Sequence, residues 1–320
     1  MPEWLIERGI GETRFALVES GEIVEAAILL DGLVRTGTRL GARLTSIGTN
    51  GRNAVAVDER GIEFLLPRGA AGITAGASVE IEVTREAIPG AEPWKRPLAR
   101  LSTEAAADQP GLNGRELVFP AARDELGNAG WYDLVEEARS GIVRFDGGEL
   151  RISATPAMTL IDVDGQLPAG ELAVRGAREA TKALRRLDIG GSIGIDLPTS
   201  GEKSIRQAAG EAIDEALPKP FERTAVNGFG FVQIVRPRLR ASLIELAGDR
   251  SPFEARALLR RAAMEKAGPK CLVGHPAVIA EFERHPTWSD ALKRQIGGSI
   301  GLRAEPGLPI SGGYAEPLQQ

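Results

Sequence analysis

Two short apolar stretches of the chain end in carboxylates. They are residues 158–165 (MTLIDVDG) and residues 192–197 (SIGIDL). Apolar runs that contain β-branched residues and stop at acids or glycine are typical of buried strands. Because strand side chains alternate, Asp162 and Asp164 are expected on one face, and Asp196 lies at the end of the second strand. Acids at two strand ends could hold a hard cation such as Mg²⁺, which keeps several waters and binds phosphate oxygens.

An amphipathic helix is predicted between these two strands. Apolar and small residues recur at three- and four-residue intervals over residues 171–187, and the opposite face is basic. Asp188 and the following pair of glycines end the helix. A strand, a helix and a strand joined by one right-handed crossover form a parallel pair. Asp162 and Asp196 should therefore emerge at the same edge of the sheet.

Basic residues that could bind phosphate follow the second strand. Arg236, Arg238 and Arg240 alternate after a third buried run, residues 231–235. Guanidinium groups suit phosphate geometry, which favours a phosphate clamp, whereas Pro237 favours a solvated edge strand. Lys203 is a further candidate phosphate contact. Its loop, PTSGEKS, lacks the second glycine of a phosphate-binding loop and is also explained as a helix start.

Composition excludes several classes of function. The chain has 320 residues, enough for two to four compact units, and 42% of them are hydrophobic. A single cysteine, Cys271, allows no internal disulfide and no CxxC metal site, which suits a reducing, cytoplasmic location. No signal peptide or membrane-length apolar run is present. The net charge of −5 argues mildly against nucleic-acid binding, although clustered arginines can outweigh it locally.

The flanking sequence predicts five regions. Residues 1–35 contain a hairpin that turns at Ser20-Gly21, and residues 36–88 give short β-runs typical of a small barrel, for which the OB fold is the commonest oligonucleotide platform. Residues 89–127 are rich in Pro, Gly and Ala and are expected to be mostly linker. Residues 128–248 contain the acid-bearing strands. Residues 249–320 predict a compact α/β unit, with a mobile tail after Gly312.

The motifs MTLIDVDG, LRRLDIGGSIGIDL and VQIVRPRLR resemble the catalytic core of the ribonuclease E/G family. The resemblance implies that Asp162 and Asp196 bind the Mg²⁺ that activates water for RNA cleavage. Asp164 takes the place of the family's asparagine, and Arg236 matches the first arginine of its SR-x-R motif. The fold implied is α/β and α+β multidomain: ribonuclease-H-like elements with an inserted OB-fold β-barrel, a deoxyribonuclease-I-like catalytic α/β domain, and a small C-terminal α/β domain.

The chain also departs from the family pattern around the acids. Pro156 stands where the family usually has a glutamate, and Thr199 replaces an aspartate. Residues 166–170 replace an Arg-rich turn. On the barrel, the family's two aromatic positions align with Ala56 and Leu65, which leaves Phe64 as the barrel's aromatic residue and weakens the expectation of base stacking there.

Two family functions are expected to be missing. About forty residues in the linker are too few for the domain that senses a 5′-monophosphate in larger members. The two-cysteine zinc link has no counterpart in residues 247–251. The chain is therefore expected to be a monomer or a zinc-independent homodimer.

Three functions remain open from the sequence. The first is a Mg²⁺-dependent endoribonuclease that acts on single-stranded RNA without sensing a 5′-monophosphate. The second is an RNA-binding protein that has lost catalysis on the same scaffold. The third is a phosphohydrolase or nucleotide-binding protein on a doubly wound sheet, which the absence of a glycine fingerprint disfavours.

Overall fold

The N-terminal hairpin belongs to a four-stranded sheet. The computed structural model describes residues 1–50, 52–90, 95–107 and 111–318. The sheet has the order β3-β2-β1-β9 and is formed by β1 (Glu3–Arg8), β2 (Glu12–Glu19), β3 (Glu22–Leu30) and β9 (Arg115–Leu117). Ser20 and Gly21 adopt positive φ angles of 54° and 88° at the turn between β2 and β3, which confirms the predicted hairpin.

A closed five-stranded barrel follows, as the sequence predicts. Its strands are β4 (Arg39–Ser46), β5 (Ala54–Val57), β6 (Glu63–Leu66), β7 (Ser78–Arg85) and β8 (Leu98–Leu101), in the closed order β4-β5-β6-β8-β7. Composition predicts a linker where β8 lies, but this strand pairs with β6 and β7 and closes the barrel. Residues 91–94 and 108–110 of the predicted linker lie outside the described residues.

The acid-bearing strands lie in a central six-stranded sheet. It contains β10 (Ile142–Phe145), β11 (Gly148–Ala154), β12 (Thr159–Gly165), β13 (Gly191–Asp196), β14 (Glu222–Arg223) and β15 (Phe231–Arg236), in the order β10-β11-β12-β13-β15-β14. Strands β12 and β13 are parallel, and the other pairs are antiparallel. Four helices accompany the sheet: α1 (Glu125–Asn128), α2 (Trp131–Ser140), α3 (Ala169–Arg186) and α4 (Lys203–Ala216).

The two faces of this sheet have different surroundings. Alternate residues such as Ile161, Val163 and Ile195 are buried in a core that includes the apolar side of α3. The intervening residues point to the opposite side, which we call the open face: Leu160, Asp162, Asp164 and Asp196 are exposed there. The alternation predicted from period two is therefore realised along the central strands.

A small three-stranded α/β unit ends the chain. It follows α5 (Leu243–Gly248), whose buried side chains belong to the core of the central sheet. The unit contains α6 (Arg250–Met264), β16 (Lys270–Gly274), α7 (Pro276–Arg284), α8 (Pro286–Ile296), β17 (Ile300–Ala304) and β18 (Tyr314–Pro317), with the sheet order β17-β16-β18. The expectation of a mobile tail after Gly312 is wrong for β18, which pairs with β16. Among the helices of the described ranges, none is long and apolar enough to cross a membrane.

A buried network of ion pairs joins the beginning of the chain to α6. Arg14 contacts Glu7 at 2.7 Å and Glu12 at 2.6 Å. Arg260 lies 3.0 Å from Glu7, and Arg256 lies 2.8 Å from Glu12. All five side chains are buried and have lost their contacts with water. The ion pairs within the network compensate for this loss of solvation.

Replacing Arg260 with alanine should therefore destabilise the fold strongly. Its removal leaves the buried Glu7 with Arg14 as its remaining partner in the network and takes the ion pair at 2.7 Å from Asp124. Breaking a buried ion pair in this way costs about 3–5 kcal/mol. The free energy of unfolding from denaturant titration measures this loss. Arg303→Ala is the matched control, because Arg303 pairs with Glu316 at the surface; equal stability losses for the two variants would show that the network contributes no more than a surface pair.

Candidate active site

Asp162 and Asp196 lie side by side on neighbouring strands. They are register partners in the parallel pair formed by β12 and β13, and both are exposed on the open face. Neighbouring strands are about 4.8 Å apart, so the two carboxylates can approach one ligand. The structure confirms that the two acids share an edge of the sheet, while their part in catalysis stays a prediction.

The acid pair is not neutralised by neighbouring arginines. Arg151 stands opposite Asp162 on β11, but its guanidinium turns to Glu149, to which Nε donates at 3.0 Å. Within the described residues, neither Asp162 nor Asp196 takes part in a side-chain hydrogen bond or an ion pair. Asp164, two residues beyond Asp162, accepts a hydrogen bond from Gly165 N at 2.8 Å. The pair thus presents free carboxylate oxygens to solvent.

These oxygens fit a cation that keeps most of its water. Across the part of the chain that the structure describes, no group of three or more His, Cys, Asp or Glu side chains could hold a metal ion. Mg²⁺ is commonly bound through one or two carboxylates, with water and substrate phosphate as its other ligands. The donor set therefore suits Mg²⁺ and does not suit a fully protein-bound metal such as structural zinc.

Two helices begin at the same edge as the acid pair. Helix α3 follows β12 and α4 follows β13, and their first turns touch: a Cβ on Gly170 would lie 2.5 Å from Ile205 Cδ1. Lys203 is the first residue of α4 and is exposed, so the structure places this candidate near the acids. Helix N-termini favour anions, although Glu171 in the first turn of α3 and Glu202 at the N-cap of α4 already place negative charge there.

Arg236 lies at the other end of the sheet. Strand β15 runs antiparallel to β13, so Arg236 pairs with Gly191 whereas Asp196 pairs with Phe231. The separation along the strands is about 16 Å at about 3.3 Å per residue. Arg236 Nη1 donates to the carbonyls of Leu184 at 3.2 Å and Ile189 at 3.3 Å, and burial lowers its pKa. These contacts satisfy carbonyl groups at and beyond the C-terminal end of α3.

Arg238 and Arg240 are also held by partners within the chain. Arg238 donates to Glu245, and Arg240 donates to Asp188 at 2.9 Å. Burial raises the pKa of Asp188, although Arg240 opposes this shift. The structure therefore gathers the three arginines around the end of α3 and the start of α5 and does not bring them to the acid pair. Their contact with RNA stays a prediction that this geometry does not favour.

The departures noted in the sequence lie at different places. Pro156 is in the connection between β11 and β12, three residues before β12 begins. Thr199 lies just beyond Asp196, and its Oγ1 donates to Phe229 O at 3.0 Å. The neighbourhood of the pair is thus changed both at Thr199 and in residues 166–170, which stand in place of the Arg-rich turn and connect β12 to α3 at the same edge.

Sequence reasoning missed two aromatic residues beside Asp196. Phe231 is its register partner, and Phe229 stands in the preceding turn with 81% of its surface exposed. An aromatic residue between two glycines, as in Asn-Gly-Phe-Gly-Phe, is the signal that could have indicated an exposed ring. On the barrel, by contrast, Phe64 is fully buried and Ala56 is buried too.

The site is a candidate divalent-cation centre on the open face of an α/β sheet, in a chain that also contains a closed barrel. Comparison with known proteins agrees with the resemblance drawn from the motifs. The chain is 35% identical to ribonuclease G of Haemophilus influenzae over 118 residues, which is 33% of this chain and 24% of that protein. It is 31% identical to ribonuclease G of Escherichia coli over 118 residues, with the same coverage of 33% and 24%.

A third relative, ribonuclease G of Salmonella typhimurium, is 29% identical over 137 residues, 38% of this chain and 28% of that protein. No family model matches the chain. The aligned part thus spans about a quarter of the length of the curated relatives. These similarities confirm the resemblance to the ribonuclease E/G family over about a third of the chain.

Replacing Arg236 with alanine should lower stability more than RNA affinity. The variant loses charge-assisted hydrogen bonds to two carbonyls, worth about 2 kcal/mol in the free energy of unfolding. Thermal and denaturant unfolding measure this loss, and Arg144→Ala, an exposed arginine of β10, is the control. A salt dependence of RNA binding that flattens, with unchanged stability, would instead establish Arg236 as a phosphate contact.

Proposed function

We propose that this chain is a Mg²⁺-dependent endoribonuclease that hydrolyses phosphodiester bonds of single-stranded RNA. The observation that carries the proposal is the pairing of Asp162 with Asp196 at one edge of the central sheet. The ribonuclease G relatives support the choice of RNA as the substrate. The similarity to these relatives covers about a third of the chain, and the proposed activity is that of the whole chain.

In this mechanism Asp162 and Asp196 hold the cation. When bound, Mg²⁺ would lower the pKa of a water and offset charge on the phosphate oxygens. Asp164 shares the open face with Asp162 and would orient a water of the ion or add a ligand. Lys203 and the first turns of α3 and α4 would hold the phosphate backbone at this edge.

We also propose the finer assignment of domains that the resemblance implies. The N-terminal sheet would be ribonuclease-H-like and interrupted by an OB-fold barrel, residues 128–248 would be deoxyribonuclease-I-like, and residues 249–320 would be the small C-terminal domain. Strands β8 and β9, in the stretch predicted as linker, pair with the barrel and the N-terminal sheet respectively. The stretch as a whole is too short for a separate 5′ sensor domain.

An RNA-binding protein without catalysis is the second candidate. The observation that favours it is the loss of an acid next to the pair. Thr199 stands in place of that acid, and its hydroxyl donates to the backbone of the neighbouring turn. Incubation of a 5′-labelled single-stranded RNA with the protein, in Mg²⁺ and in EDTA, distinguishes the two candidates. Cleavage that requires Mg²⁺ supports the nuclease, and binding without cleavage supports the alternative.

Asp162→Asn and Asp196→Asn should each lower the cleavage rate by more than about 100-fold. A loss of this size exceeds the usual effect of removing a group that only orients a metal ligand. Each change removes a negative charge and a ligand oxygen while it preserves the size of the side chain. Unfolding should be unchanged, because both carboxylates are exposed. Asp290→Asn, the same change on α8, is the control; parent-like cleavage by either active-site variant would refute the assignment.

Cleavage should not depend on the state of the RNA 5′ end. Substrates with a 5′-hydroxyl, monophosphate or triphosphate are expected to be cleaved at equal rates, because residues 89–127 are too few for a sensor domain and two of their segments pair with the barrel and the N-terminal sheet. The mass from light scattering should not change with a zinc chelator, since Cys271 alone cannot supply a zinc link. A tenfold preference for the monophosphate, or dissociation on chelation, would contradict this prediction.

A further inference from the structure

The open face beside the acid pair carries exposed apolar groups. Leu160 is 40% exposed and Val235 is 51% exposed, on strands that flank β13. The aromatic ring of Phe231 lies between these strands on the same face. Exposed apolar groups that are contiguous with a polar site mark binding surfaces more often than isolated ones do.

The ring of Phe231 covers the backbone of β13. A Cβ on Gly194 would lie 2.6 Å from Phe231 Cζ and 3.0 Å from Leu160 Cδ2. Glycine is therefore needed at this position for the ring to occupy its place. Gly194 precedes Asp196 by two residues on the same face, which is about 6.6 Å along the strand. The ring and the carboxylate are thus neighbours at the distance of one nucleotide unit.

The turn that carries Phe229 is held firmly although its ring is exposed. Asn227 Oδ1 accepts hydrogen bonds from Phe229 N at 2.9 Å and from Phe231 N at 3.1 Å. Thr199 Oγ1 donates to Phe229 O, which ties the turn to the loop after Asp196. A backbone fixed in this way presents the ring to a ligand with little further loss of conformational freedom.

Phe229 differs from the other exposed aromatic residues of the described chain. Tyr132 donates its hydroxyl hydrogen to Asp124 at 2.8 Å, and the hydroxyl of Tyr314 accepts a hydrogen bond from Arg303 at 3.3 Å. Those exposed tyrosines are explained by local contacts. The phenyl ring of Phe229 has no polar group, so its exposure calls for an apolar or aromatic occupant.

We propose that Phe229 and Phe231 form a stacking subsite for nucleobases of single-stranded RNA, next to the cation that Asp162 and Asp196 would hold and the phosphate that it would bind. The inference rests on the proposed function and adds the residues that bind the substrate. Every base has a flat aromatic face, so such a platform binds single strands with little sequence preference. The chain needs this contribution because its barrel buries Phe64 and its net charge is −5.

Fluorescence of 2-aminopurine tests the subsite directly. A short single-stranded RNA with 2-aminopurine at one position after another is bound to the parent protein in EDTA, so that no cleavage occurs. Stacking on the rings should quench or shift the emission at one or two adjacent positions. Phe229→Ala should abolish this change in emission and weaken RNA binding about tenfold. Phe229→Trp should keep both the emission change and the affinity of the parent. Tyr314→Ala, which removes another exposed ring, should behave as the parent does.

Phe231 is tested by Phe231→Leu, which keeps most of the packing volume over Gly194, with thermal unfolding as a check on the fold. An RNA with an abasic unit at the position whose emission changes should bind the parent about tenfold more weakly than the intact RNA does. The affinity of Phe229→Ala should be the same for both RNAs. Unchanged affinity and emission in both phenylalanine variants would overturn the subsite. A loss of dimer mass in Phe229→Ala, without a change in RNA binding, would also overturn it and assign the face to a second copy.

The subsite and the proposed function can fail separately. Stacking signals without Mg²⁺-dependent cleavage would support the subsite and contradict the nuclease. Cleavage by the parent together with parent-like binding by Phe229→Ala would support the nuclease and overturn the subsite.

Discussion

The parallel pairing of β12 with β13 is the constraint on which the candidate site depends. Helix α3 must cross closely over the sheet to join these strands, and a Cβ on Gly176 would lie 2.3 Å from Val163 Cγ1. Glycine and alanine on the buried side of α3 thus permit the close approach that the crossover needs. Register is equally important, because a slip of one residue would turn Asp162 toward the helix and Ile161 toward water.

The arginines gathered around the end of α3 and along α6 contribute to folding. Arg236, Arg238 and Arg240 connect β15 to the end of α3 and to the start of α5, and Arg256 and Arg260 connect α6 to the N-terminal sheet. An arginine bound to a buried carboxylate or carbonyl cannot contact phosphate without leaving that group unsatisfied. Affinity for RNA must then come from helix N-termini, exposed groups such as Lys203, and aromatic stacking.

The local elements could be predicted from the sequence, but the directions of some could not. Period two and helical spacing predict β12, α3 and β13 to within a few residues, and the handedness of the crossover predicts that Asp162 meets Asp196. The arginine motif was harder, because the edge that Arg236 reaches depends on whether β15 runs parallel or antiparallel to β13. Strand β8 has four residues in a proline-rich context, too short a pattern to be told from a linker.

Alternate residues of β12 belong to the core and to the candidate site. Ile161 and Val163 are buried under α3, whereas Asp162 between them is exposed on the open face. Unpaired carboxylates on neighbouring strands repel each other, and exposure to water keeps the repulsion small until a cation binds. The open face can therefore carry a charge arrangement that the covered face could not hold, because in the core the same two acids would need buried cationic partners.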